Sequence, residues 1–167
     1  MNIFSGKDKD KEKEKKIEEI LLQNYDSYYR LAYSYVHNEA DAGDIVQNGA
    51  YKAIRGSHTL ERAEYAATWI YRIMLNEIFR FCKERGKNIV SLDEMPIEHG
   101  KEDTYIDIDL QRALDTLLPQ DKAVVELRFF EDKKLEDIAD ILEENVSTVK
   151  SRLYRSMKKL RIELEES

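Results

Sequence analysis

Apolar residues recur at helical spacing along most of the chain. From Ile17 the series Ile20, Leu21, Tyr25, Tyr28, Leu31, Ala32 and Tyr35 runs at steps of three and four up to the polar break His37, Asn38, which predicts an amphipathic helix. A second helix can start at Asn38, whose side chain suits an N-cap, with Ala42, Ile45, Val46, Ala53 and Ile54 on one face. Gly49 inside it costs about 1 kcal/mol against alanine. Gly56 to Arg62 reads as a loop, and a long helix follows from about Glu64 to Lys87. Its predicted core face is Ala67, Ile70, Ile73, Met74, Ile78 and Phe81. Another face lines up Arg72, Asn76, Arg80, Lys83 and Lys87 at steps of four, four, three and four, a basic stripe.

In the C-terminal part, Leu110, Ala113, Leu114 and Leu117 predict one helix. Pro119 opens the next, since a missing N–H costs nothing in a first turn, and Val124, Val125 and Leu127 continue it. Leu135, Ile138, Ala139 and Leu142 then mark a short helix, the residues EEN at 143–145 a polar turn, and Val149, Leu153, Met157, Leu160 and Leu164 the inner face of a last helix. Two short amphipathic helices across a tight polar turn form a helix-turn-helix pattern.

Composition agrees with an all-α chain: glycine occurs 6 times and proline twice, and no segment reads as a strand. The first 16 residues alternate lysine with acids and offer almost nothing to bury, so a disordered or frayed helical lead-in is expected there. Net charge is −7, and the segment 88–115 alone holds 8 acidic against 2 basic residues, with Pro96 and Gly100. The excess acid therefore sits in a linker. The reading is two small helical domains joined by an acidic flexible linker, with boundaries 1–16, 17–87, 88–105 and 106–167.

No run approaches the roughly 18 apolar residues of a membrane span, and the N-terminus lacks the core of a secretory signal, so a cytoplasmic protein is expected. Cys82 is the single cysteine, which excludes an intrachain disulfide and a thiolate zinc cluster. His37, His58 and His99 have no metal-ligand spacing, and neither a Gly-rich phosphate loop nor an activated nucleophile is evident. No enzyme, metal or cofactor is expected.

Between Val146 and Arg161 lie six basic residues and no acidic one. Ser147, Lys150, Ser151, Tyr154, Arg155 and Lys158 fall opposite the apolar seam, and hydroxyl, cationic and aromatic groups suit phosphates and base edges in a major groove. A surface for an acidic protein, or a solubilising coat, is the alternative for such a face.

TVKSRLYRSMKKL at 148–160, following EDIADIL at 136–142, resembles the minus-thirty-five-reading region 4 of sigma-70-type factors. DAGDIVQ at 41–47 resembles the core-polymerase-binding motif of region 2, and WIYRIMLN at 69–76 its melting and minus-ten-reading motif. Three motifs in this order, with a short acidic linker, are similar to the extracytoplasmic-function (ECF) group. The resemblance implies an initiation factor in which Asp41, Asp44, Ile45, Val46 and Gln47 dock on the β′ clamp helices of core RNA polymerase, with the β flap as a second contact. It implies that Trp69, Tyr71, Arg72, Asn76, Arg80 and Lys83 open and hold minus-ten promoter DNA. Ser147, Thr148, Lys150, Ser151, Arg152, Tyr154, Arg155 and Lys158 would read the minus-thirty-five element. An anti-sigma factor, often membrane-anchored, is the implied regulator.

The sequence departs from the family at several places. Gly43 replaces an acid; Asn48, Gly49 and Ala50 replace a Glu, a small residue and a Phe; Lys134 stands where a Ser or Thr cap is usual, leaving Asp132 as a substitute cap; Glu143 and Glu144 replace a Gly and an apolar residue. The competing function is a helix-turn-helix regulator that binds duplex operator DNA without polymerase.

Overall fold

The computed structural model describes residues 3–86 and 103–166. Eight α-helices occur among them: α1 Ile3–Gln23, α2 Tyr25–Val36, α3 Glu39–Arg55, α4 Ala66–Arg85, α5 Asp103–Asp115, α6 Pro119–Phe129, α7 Leu135–Leu142 and α8 Val146–Glu166. Short 3-10 turns at Ser57–Thr59 and Ala63–Tyr65 lie between α3 and α4. Most of the expected linker, 88–102, lies outside the described residues. The helices fall into two compact units. The first comprises residues up to Tyr33 and Asn38–Glu84; the second comprises Ser34–His37 and the residues from Arg85 onward.

In the first unit the charged lead-in is helical as part of α1, and from Asp8 its side chains stay mostly exposed until Ile17 and Leu21 enter the core. Asn24 separates α1 from α2, where the periodicity drew one helix: its backbone N–H and its Nδ2 both donate to the Ile20 carbonyl at 3.0 Å, and its own carbonyl still accepts from the Tyr28 N–H at 3.1 Å. Asn38 caps α3 as expected, its Oδ1 accepting from the Asp41 N–H at 2.9 Å. Lys52 and Arg55 close the last turn of α3, where positive charge complements the helix dipole.

The inner face of α4 differs from the predicted one. Ala66, Ile70, Tyr71, Met74, Leu75, Ile78 and Cys82 are buried, whereas Ala67 is exposed and Ile73 and Phe81 are half-buried. Apolar residues surround much of this helix, so periodicity alone could not select the side that packs. Met74 explains the unusual composition of α3. It is 1% exposed, and a Cβ added at Gly49 would overlap its Sδ. The methionine thus occupies the space left by the small residue. Gly49→Ala should therefore lower the melting temperature: about 1 kcal/mol of helix propensity is gained, against about 1–3 kcal/mol for overpacking. Combined with Met74→Ala, it should cost less than the sum of the single changes, as thermal unfolding of all three variants would show.

In the second unit Ala113, Leu114, Leu117, Val125 and Leu160 form one apolar cluster, with Leu110 and Leu153 packed against it. Each leucine or valine of this cluster, when fully buried, contributes about 1.5–3 kcal/mol relative to exposure. Pro119 occupies the first turn of α6. Lys134 stands at the N-cap of α7 without a side-chain cap bond, so Asp132, in a left-handed conformation (φ 54°), does not replace the missing cap. Met157 and Leu164 depart from the inward placement read from the sequence. They are 41% and 43% exposed and border an open apolar groove. Among the described residues no helix is long and apolar enough to cross a membrane.

Candidate nucleic-acid and polymerase interface

On α3 the expected docking residues divide. Asp44 and Gln47 are exposed and Asp41 is half-buried, but Ile45 and Val46 are only 3% and 1% exposed. These two hold the helix in the core and present no surface to a partner, a correction to the role expected for them. The exposed side continues through Asn48 to Tyr51, whose hydroxyl accepts from Arg55 Nη1 at 2.7 Å.

On α4, Asn76, Arg80 and Lys83 share the solvent side and Arg72 is half-buried. Tyr71 is a second correction. It is 3% exposed and meets Tyr28 edge-on, ring centroids 5.2 Å apart at 78°, so it is a core residue. Trp69 is half-buried and lies close to Gly56, its ring 3.5 Å from where a Cβ would stand. With Arg72 it lines a cleft of about 330 Å³ completed by Leu60, Glu61, Arg62 and Tyr65. Those loop residues were missed by the sequence reading. The available signal was the polar loop just before Trp69, whose folded path periodicity does not reveal.

The helix-turn-helix in the second unit is α7, the turn and α8. Glu143 takes the left-handed conformation (φ 57°, ψ 39°) at the end of α7, where glycine would avoid a cost of roughly 1 kcal/mol. The Glu144 N–H reaches back to the Ala139 carbonyl at 3.0 Å. Asn145 then caps α8, its Oδ1 accepting from the Thr148 N–H at 2.8 Å, a role hidden within a turn read only as polar. Val149 and Leu160 face inward at 0% and 4% exposure. Ser147, Lys150, Ser151, Tyr154, Arg155 and Lys158 are exposed, and Thr148 is half-buried.

Arg152 does not join that face. Its Nε donates to Glu144 Oε2 at 2.7 Å and its Nη1 to Asp121 Oδ1 at 2.8 Å. The Glu144 carboxylate first, and Asp121 second, push its pKa upward. Arg152 is a strut joining α8 to the turn and to α6, which corrects its expected role as a DNA reader. Arg155, 63% exposed, has only long contacts of 3.4 and 3.5 Å to Asp121 and can turn to a ligand. The groove bordered by Phe129, Phe130, Met157 and Leu164 has a volume of about 800 Å³.

A small helical unit followed by a helix-turn-helix whose second helix carries no acid from Val146 to Arg161 is the arrangement of an all-α DNA-binding transcription protein. The sigma-70 region 2 family model matches residues 20–88 and the sigma-70 region 4 model residues 107–160. The chain is 46% identical over 140 residues to the RNA polymerase sigma factor SigV of Bacillus subtilis, covering 82% of this chain and 84% of that protein. It is 28% identical over 156 residues to the ECF RNA polymerase sigma factor SigE of Mycolicibacterium smegmatis, covering 86% of this chain and 60% of that one.

Among solved structures, it is similar to the sigma factor RpoE in complex with the anti-sigma factor NepR from Bartonella quintana. The TM-score is 0.71 at 25% identity, over 89% of this chain and 96% of that chain. The fold also matches CnrH in complex with the cytosolic domain of CnrY, with a TM-score of 0.69 at 17% identity, over 90% and 88% of the two chains. The chain belongs to the sigma-70 family, in its ECF group, and is an alternative sigma factor that binds core RNA polymerase and directs promoter-specific transcription initiation. The region 2 match decides against a regulator that carries only a DNA-binding helix-turn-helix.

Proposed function

We propose that the two units divide promoter recognition between them. The exposed α8 face of Ser147, Lys150, Ser151, Tyr154, Arg155 and Lys158 reads the minus-thirty-five element. The observation that carries this assignment is the absence of any acidic residue from Val146 to Arg161 in a chain of net charge −7. Asn76, Arg80 and Lys83, with the Trp69 cleft, take the opened minus-ten strand. An aromatic face there can stack on an unpaired base for about 1–3 kcal/mol, and a carboxamide can pair with a base edge.

Asp41, Asp44 and Gln47 meet the β′ clamp helices, with Asn48 and Tyr51 extending the same exposed side of α3. The apolar groove beside Phe129 and Phe130 suits an apolar segment of a partner, and it is the surface assigned here to the β flap. An anti-sigma factor is the proposed regulator, in line with the partner named for RpoE. A membrane-anchored form of that inhibitor is part of the same proposal. The protein supplies binding and positioning, and the polymerase supplies the chemistry.

Asn76→Ala should change the base preference of the minus-ten element while leaving affinity for core polymerase unaltered. Transcription from a library of minus-ten variants with reconstituted holoenzyme measures this. An unchanged preference profile would remove Asn76 from the reading.

A further inference from the structure

We propose that Lys52 and Arg80, both held by the buried carboxylate of Glu77, form a seat for one backbone phosphate of the opened promoter strand, with Glu77 as its positioning residue. The inference rests on the reading above that the exposed side of α4 meets that strand.

Glu77 is 6% exposed. Its Oε1 accepts from Lys52 Nζ, and its Oε2 accepts from Arg80 Nη2 at 2.5 Å. The two cations behave differently from their anion: the Lys52 and Arg80 side chains are 45% and 53% exposed. One carboxylate between two cations leaves one positive charge in surplus, and that surplus faces solvent. A phosphodiester carries the single negative charge that would balance it.

The chemistry of the cations also favours phosphate. A lysine ammonium and an arginine fork suit phosphate oxygens, and neither can offer an acceptor to a base edge. Arg80 lies four residues after Asn76 and three before Lys83, so the seat continues the α4 stripe. Lys52 brings in α3, on a residue that carries none of the polymerase-docking roles given above. Long basic side chains lose rotamer freedom when they bind, and a fixed carboxylate that orders them beforehand reduces that loss.

The sign of one substitution separates positioning from simple charge. Removing a carboxylate beside a phosphate site should strengthen DNA binding on electrostatic grounds alone. Positioning predicts the opposite for Glu77→Gln. The assay uses holoenzyme reconstituted from core polymerase and the full chain. The probe is a forked duplex bearing the single-stranded minus-ten region of a promoter mapped by transcript ends after overexpression. Affinity is measured by fluorescence anisotropy across a salt series.

Lys52→Ala and Arg80→Ala should each weaken binding and reduce the slope of log affinity against log salt by about 0.7, the value for one single-strand phosphate contact. Glu77→Gln should weaken binding by roughly five- to tenfold, as for an ordered charge contact, with melting temperature and core-polymerase affinity retained. Equal or tighter binding by Glu77→Gln overturns the positioning role, and an unchanged salt slope for Lys52→Ala overturns the seat. If Glu77→Gln lowers the melting temperature, the Lys52→Ala slope decides. If Asn76→Ala and Lys83→Ala also leave fork binding unchanged, the reading of α4 itself fails, a result distinct from failure of the seat.

Discussion

Replacing Arg152 by alanine should destabilise the second unit by about 3 kcal/mol, the range for removing one partner of a buried ion pair. Asp121 is 5% exposed in the first turn of α6, and it would lose its short contact to the guanidinium. Glu144 would lose its partner at 2.7 Å, releasing the turn that sets the start of α8. The nearby Arg155 could move onto Asp121 from its present 3.4 Å, recovering some stability while leaving the DNA-facing surface.

Arg152→Ala should thus lower both the melting temperature and minus-thirty-five binding. Arg155→Ala should weaken minus-thirty-five binding with little change in melting, because an exposed pair of that length contributes at most about 1 kcal/mol. The double variant should be less stable than the two single losses predict. Chemical denaturation alongside promoter binding by holoenzyme separates the outcomes. A melting loss for Arg155→Ala as large as that for Arg152→Ala would contradict the division between strut and reader.

Glu126→Gln should stabilise the second unit by about 3 kcal/mol at pH 8 and by much less at pH 4. Glu126 is 4% exposed in α6. Burial pushes its carboxyl up from the ordinary 4.5 to about 7, against the opposing pull of Lys122. Between those two pH values the folded chain holds a proton that the unfolded chain releases, so stability falls as pH rises through the interval. At about 1.4 kcal/mol per unit of pKa, the full penalty is present only above pH 7. Glutamine has no charge to desolvate, so its variant should show a flatter stability profile from pH 4 to 8. Parallel profiles for the two proteins would show that Glu126 does not create the dependence.

Local features of the fold were legible because their causes lie within a few residues. Asn38 caps α3 through a contact three residues on, and Pro119 starts α6 with no bond needed from its nitrogen. The acid-free face of α8 was equally plain, since spacing along one helix decides which side faces solvent. What spacing could not show was the partner reaching in from elsewhere. Arg152 looked like a DNA reader because its acids sit 31 and 8 residues earlier, in α6 and the turn. Gly49 read only as a cost in helix propensity, because Met74, which packs against it, lies on another helix. Ile45, Val46 and Tyr71 lie within motifs whose resemblance suggested function, yet their side chains build the core that holds the exposed members of those motifs. The cleft beside Trp69 required the path of a loop, which no periodicity encodes.

Transcription reconstituted from core polymerase and this chain, on promoter fragments mapped after its overexpression, tests the central claim most directly. The expected result is a discrete transcript start that depends on both polymerase and the chain, is reduced by Lys150→Ala or Arg155→Ala, and changes its minus-ten preference with Asn76→Ala. Failure to initiate at any mapped promoter, together with tight sequence-specific binding of the chain to duplex DNA without polymerase, would contradict it.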